Sequence, residues 1–396
     1  MDEINFFPDN LDVRNEKVVL RLDLNVPLRD KIIQDDTRIV LCLPLIKRLV
    51  EKKAKIIIIS HLGRPKGIKV PELSLIPIYK YLKKSLPTNV YFYMGNLDED
   101  AQDKFSHLKE GEIILIENIR YFKEESNNDE DFAKRLSSLG DIYINDAFSC
   151  SHRKQASIHN ITKFIKKSFA GPLLKKEINA INLVIQNKKE PVTCIIGGSK
   201  ISTKINVISS LIEKVNNLVI VGAMANNFFI YKNLKIGKSL VEENTNEIIR
   251  TIYEKANKNK CKIIIPEDCM VGSSFTSDGI NKDIIAIEDN DIILDIGTKT
   301  IEVLKKIIDQ SKTVLWNGPA GYFENENFLI GTMSIAEAIS KNTVKNSLIS
   351  ILGGGDTLAA IKQSKNKLFF THLSTAGGAF LEYLEGKDLP GLSVLK

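Results

Sequence analysis

Ile351-Leu352-Gly353-Gly354-Gly355-Asp356-Thr357-Leu358-Ala359-Ala360-Ile361 is the stretch that decides the fold of this 396-residue chain. It opens as a buried strand, passes through three glycines, and hands over to a helix at Asp-Thr. A strand joined to a helix by a tight glycine turn is the repeating joint of a parallel α/β sheet. Glycine lacks Cβ and lets the backbone approach a bulky ligand. A helix start offers unpaired N–H groups and partial positive charge to anions such as phosphate. Asp356 stands where it would hold a metal ion that accompanies phosphates. The same residues also suit a plain turn capped by Asp356 or Thr357.

On either side of this joint, short β-branched runs alternate with longer amphipathic ones. Residues 18–22, 56–59, 113–116 and 142–144 read as strands of the first half, with helical spacing over 41–53 and 131–139. A second series of strands is expected at 193–196, 218–221, 263–265, 314–316, 348–352 and 369–373, with helices at 247–257, 300–308 and 335–341. The predicted fold class is α/β, with two doubly wound parallel-sheet domains joined by a hinge helix. The break lies near Ala170-Gly171-Pro172, because Gly-Pro stops one element and Pro suits the first turn of the next. The expected division is 1–171, an interdomain helix over 172–187, and 188–386.

Composition narrows the function. The chain is 43% hydrophobic and 26% charged, with net charge +6 and pI near 8.8, a profile expected of a soluble globular protein. No Lys/Arg block of the nucleic-acid type occurs. The five cysteines (Cys42, Cys150, Cys194, Cys261, Cys269) form no Cys-x-x-Cys pair, which argues against a disulfide framework or a zinc site. The opening Met1-Asp2-Glu3 is acidic, no signal-like apolar stretch follows, and the longest apolar runs fall short of a membrane span, so a cytoplasmic location is expected.

Cationic residues gather after the strands of the first half. Arg21-Leu-Asp23-Leu-Asn25-Val-Pro27, Arg38, His61-Leu-Gly-Arg64-Pro65, Glu117-Asn-Ile-Arg120 and Asn145-Asp146 through His152-Arg153 follow separate strands. Ligands of open parallel sheets bind beyond the strands' carboxyl ends. Arg38, Arg64, Arg120 and Arg153, with His61 and His152, would form a basic bowl for a small, multiply anionic substrate. Singly, each also reads as a surface ion pair or structural residue. In the second half, Gly197-Gly-Ser-Lys200-Ile-Ser-Thr-Lys204 is another strand–glycine–helix joint, its lysines expected on one face of a helical turn. Trp316-Asn-Gly-Pro319 leads to Glu324; Pro319 would pack on a nucleotide and Glu324 accept from ribose hydroxyls. Ser374-Thr-Ala-Gly377 opens a further helix whose start would face a transferring phosphoryl group. Each of these also reads as a plain turn. Neither a P-loop nor a dinucleotide fingerprint is present.

Together these motifs resemble, in order and over nearly the whole chain, those of phosphoglycerate kinase, ending with Leu389-Pro-Gly391. The resemblance implies a monomeric two-domain kinase binding 3-phosphoglycerate on its first domain and magnesium ADP or ATP on its second. It also implies that residues 387–396 fold back on the first. By position, Asp23, Asn25, Arg38, His61, Arg64, Arg120 and Arg153 would be the substrate ligands. Lys204, Pro319, Glu324, Gly354, Gly355, Asp356 and Thr357 would hold the nucleotide, with Asp356 on Mg2+. Arg38, Lys200, Lys204 and Gly377 would meet the transferring group. Departures are Ser199 for a usual Ala, Ala376 for Gly, Ser149-Cys150-Ser151 for Gly-Thr-Ala, and Thr298 for Pro. No nucleic-acid or membrane partner is expected; a non-catalytic nucleotide binder and a nucleic-acid binder are the other classes.

Overall fold

The structure is a computed structural model that describes residues 4–396, apart from the side chains of residues 99 and 100; Met1-Asp2-Glu3 lies outside it. It divides into two compact units, residues 1–178 with 388–396, and residues 179–387. The division falls inside the helix Pro172–Ile185.

The first unit is built on six parallel strands in the order Val90–Tyr93, Ile113–Ile116, Lys55–Ile59, Lys17–Arg21, Ile142–Asn145, Lys167–Ala170. The central strands are nearly continuous apolar runs buried at successive positions, so both faces of the sheet are covered. Helix Thr37–Glu51 contributes one such cover, burying Ile39, Cys42, Leu45, Ile46 and Leu49 at helical spacing. Helix Glu130–Ser137 starts where the Asp129 carboxylate accepts from Phe132 N–H at 2.8 Å. The C-terminal residues pack on this same unit: Asn5 N–H donates to Leu395 O at 2.6 Å and Gly391 N–H to Ser151 O at 2.8 Å. A Cβ on Gly391 would lie 2.9 Å from Ser151 Cα, so glycine permits that approach.

The second unit carries six parallel strands in the order Lys262–Ile264, Asn217–Ile220, Val192–Ile196, Thr313–Asn317, Ile349–Gly353, His372–Ser374. Between the two halves of that order, the chain builds an antiparallel sheet of Ile280–Asp283, Asp268–Gly272 and Ile292–Ile296. The strand order reverses between Val192–Ile196 and Thr313–Asn317, and such a switch point is where open sheets form a ligand crevice.

Several expectations need correction. The strand expected at 369–373 is the shorter His372–Ser374. Lys200 and Lys204 do not share a helical turn: residues 201–204 form bends and turns, and the helix begins at Ile205. The cause is local, since Gly198 adopts φ +129° and Lys204 N–H closes a turn onto Ile201 O at 3.0 Å. Val90–Tyr93 and Lys167–Ala170 lacked a clear signal. The first is an edge strand with an exposed Tyr91, and the second is only four residues with a lysine and a serine.

Candidate active site

In the first unit, the loops after Lys17–Arg21, Lys55–Ile59, Ile113–Ile116 and Ile142–Asn145 leave the same edge of the sheet, because these strands are parallel neighbours. Asp23 is nearly buried, and Arg38 Nη1 reaches its Oδ2 at 2.9 Å. Asn25 N–H donates to Asp23 Oδ1 at 3.1 Å, and Arg38 Nη1 also donates to Asn25 O at 2.9 Å. Asn25 Oδ1 accepts from Gly63 N–H at 2.9 Å, while Arg120 Nη1 donates to Gly63 O at 2.8 Å. Three loops are thus bound together by polar contacts. Arg153 Nε donates to His152 Nε2 at 3.1 Å. Arg64 is exposed on the loop that carries His61.

Charge at this edge is concentrated. Burial, then Arg21, Arg120, Arg38 and Arg153, hold the His61 pKa well below its ordinary value, so its imidazole is neutral at physiological pH. Burial also draws Arg120 down to about 10, leaving it charged. Two of the unusual residues sit here. Ser149 Oγ donates to Asp23 Oδ2, and Cys150 Sγ lies 3.8 and 3.9 Å from the His61 ring nitrogens.

In the second unit, the turns after Val192–Ile196 and Thr313–Asn317 meet at the switch point, where Gly197 N–H donates to Asn317 O at 2.9 Å. Lys204 Nζ folds back onto Gly197 O at 2.6 Å and Asn317 Oδ1 at 2.8 Å. Burial pushes its pKa down to about 8, against the opposing charge of Asp356. Gly354 has φ +101°, and a Cβ there would lie 3.1 Å from Asn317 Nδ2, so both the backbone conformation and the space favour glycine. Gly354 precedes the helix Gly355–Ile361, which exposes Gly355 and Asp356 and buries Thr357. Thr357 Oγ1 accepts from Gly318 N–H at 2.7 Å.

A largely apolar cleft of about 300 Å³ opens beside these turns, lined among others by Gly198, Pro319, Glu324 and Asp356, with Phe229 and Leu294 among its apolar residues. Lys200 is exposed on its turn. Gly377 precedes the helix Gly378–Leu384; beside it Ala376 is buried and its N–H donates to Ser374 Oγ at 3.2 Å. Sequence reasoning did not single out Asn317. It is buried, its Nδ2 has no partner among the described residues, and it holds Lys204; its only signal was its place in Trp316-Asn-Gly-Pro.

The profile of the family described as phosphoglycerate kinase matches residues 8–387. The chain belongs to the phosphoglycerate kinase family. It is 47% identical over 390 residues to the phosphoglycerate kinase of Wolbachia pipientis wMel, covering 98% of each chain. It is 43% identical over 387 residues to the cytosolic phosphoglycerate kinase of Triticum aestivum, covering 97% of this chain and 96% of that one. The phosphoglycerate kinase structure from Coxiella burnetii superposes with TM-score 0.86 at 38% identity, covering 98% and 97% of the two chains. That from Pyrococcus horikoshii OT3 gives 0.83 at 28% identity, covering 98% of each. Family membership and the two parallel-sheet units therefore agree.

Proposed function

We propose that the chain catalyses reversible phosphoryl transfer from 1,3-bisphosphoglycerate to MgADP, giving 3-phosphoglycerate and MgATP, the glycolytic reaction of its family. One observation carries the reading. A sheet edge crowded with Arg38, Arg120, Arg153 and a neutral His61 suits a small polyanion, and the apolar cleft bordered by glycine turns, Lys204 and Asp356 suits a nucleotide.

In this reading, Asp23, Asn25, Arg38, His61, Arg64, Arg120 and Arg153 bind 3-phosphoglycerate. Arg forks take its phosphate and carboxylate, and Asp23 accepts from its hydroxyl. Lys204, Pro319, Glu324 and Gly354 to Thr357 hold the nucleotide. Among the described residues, no cluster of three or more His, Cys, Asp or Glu side chains is arranged to hold a metal. A lone exposed Asp356 fits magnesium, which is held by one or two carboxylates plus the phosphates and water. Asp356 would hold that ion, and bound magnesium supplies charge neutralisation on the phosphates.

Towards ATP consumption the nucleophile is a carboxylate, already ionised at neutral pH, so no general base is required. Catalysis is alignment plus charge: Arg38, Lys200, Lys204 and the amide at Gly377 stabilise the equatorial oxygens of the transferring group. The two ligand sets belong to different units, so transfer requires a closing motion. Scattering should show compaction when both ligands bind. A monomer in the cytoplasm is the proposed state; the wheat relative is named cytosolic, and no described helix is long and apolar enough to cross a membrane. The deciding assay follows ATP formation from 1,3-bisphosphoglycerate and ADP. Absence of ATP above the uncatalysed background would overturn the proposal.

A further inference from the structure

Behind the basic edge lies a buried cluster that none of the proposed ligand contacts uses. Arg21 ends its strand fully buried. Its Nη1 donates to Leu22 O, its Nε donates to Ser157 Oγ at 2.9 Å, and its Nη2 faces His61 Nδ1 at 3.4 Å. Ser157 Oγ donates onward to Glu125 Oε1 at 2.7 Å, and Ser157 N–H donates to Glu125 Oε2 at 2.8 Å. Tyr143 Oη fixes the same residue by donating to Ser157 O at 2.6 Å. Arg21, Glu125 and Ser157 have no solvent exposure.

The direction of this chain is determined by chemistry. A guanidinium has donors only, so the Ser157 oxygen accepts from Arg21 and its single proton goes to Glu125. For the same reason the His61 nitrogen facing Arg21 is an acceptor, and the ring proton sits on Nε2. Burial raises the Glu125 pKa, while the Arg21 charge and the bonds from Ser157 lower it, so the two buried charges favour each other across Ser157.

We propose that Glu125 and Ser157 are positioning residues that, through Arg21, hold His61 in its Nε2–H tautomer, giving the basic edge one fixed neutral donor for an anionic substrate. The part concerning substrate rests on the function proposed above; the tautomer itself does not. A purely structural role for the cluster predicts no link between Ser157 and the ring proton.

The test uses the full chain with 15N-labelled histidine and long-range 1H–15N correlation spectra. Only five histidines are present, and loss of one set of signals in H61Q assigns His61. The free wild-type protein should show Nδ1 unprotonated and Nε2 protonated. S157A and E125Q should shift His61 towards a tautomer mixture. They should also raise KM for 3-phosphoglycerate about tenfold, the scale of one weakened hydrogen bond to a charged group, with KM for ATP unchanged. If either variant fails to fold, R21M provides the same readouts, since methionine keeps an unbranched stem and removes every guanidinium donor facing His61 Nδ1. A single Nε2–H tautomer persisting in folded S157A or R21M would overturn the proposal, as would equal shifts in both KM values. A wild-type protein inactive on 3-phosphoglycerate would overturn the substrate reading and leave the tautomer result standing.

Discussion

Lys204→Met separates what Lys204 costs the fold from what it does for the reaction. In the free protein, burial lowers the Lys204 pKa from 10.5 to about 8. That shift corresponds to about 3 kcal/mol of penalty for keeping the side chain charged near neutrality. Methionine removes the charge and keeps most of the apolar stem. It forfeits the hydrogen bonds to Gly197 O and Asn317 Oδ1, worth about 1.5–3 kcal/mol each because the donor is charged. The variant should therefore match the wild type or fall below it by up to about 3 kcal/mol at neutral pH, while turnover falls by orders of magnitude. The sign with pH follows from the lowered pKa. The penalty is fully present below the folded value of about 8 and is relieved as pH rises towards the unfolded value of 10.5, so the wild type gains on the variant across that window. Urea unfolding read by Trp316 fluorescence is the assay, because this only tryptophan is buried in the same unit as Lys204. A variant destabilised by more than about 3 kcal/mol at neutral pH, or one more stable than the wild type, would refute the reasoning. So would a gap that does not change between pH 8 and 10.5.

Three further outcomes are expected. Asp356→Asn should leave stability within about 0.5 kcal/mol, since the side chain is exposed, and weaken ADP binding only when magnesium is present; calorimetry with and without the metal checks this. Arg38→Ala removes the contacts to Asp23 and Asn25 and should reduce kcat by orders of magnitude with ADP affinity intact; near-normal turnover would remove Arg38 from the transfer step. Gly354→Ala forces a side chain into φ +101° beside Asn317, so it should cost about 1–3 kcal/mol and weaken nucleotide binding. Unaltered stability and ADP affinity would show that the turn does not need glycine.

The alternation of β-branched runs with helical spacing encoded both parallel sheets, because a strand covered on each face must be apolar throughout. Where burial was partial, as along Val90–Tyr93, the local pattern faded. The glycine joints at 197–198 and 353–355 were readable for the same local reason: a positive φ such as that of Gly198 or Gly354 is written in one residue. The arginines after successive strands were readable as a group once the strands were parallel neighbours.

The sequence by itself thus determined the fold class, the family resemblance and the side chains available at each strand end, all of which depend on residues near one another in the chain. Only the tertiary structure decided which of them meet. Arg21 contacts Ser157 across 136 residues, and Lys204 contacts Asn317 across 113. No local pattern carries such pairings, because a hydrogen bond between distant residues is set by sheet order and register. That is why Asn317 and the Glu125–Ser157–Arg21 chain appear only in the folded protein, as the buried polar groups against which Lys204 and His61 lie.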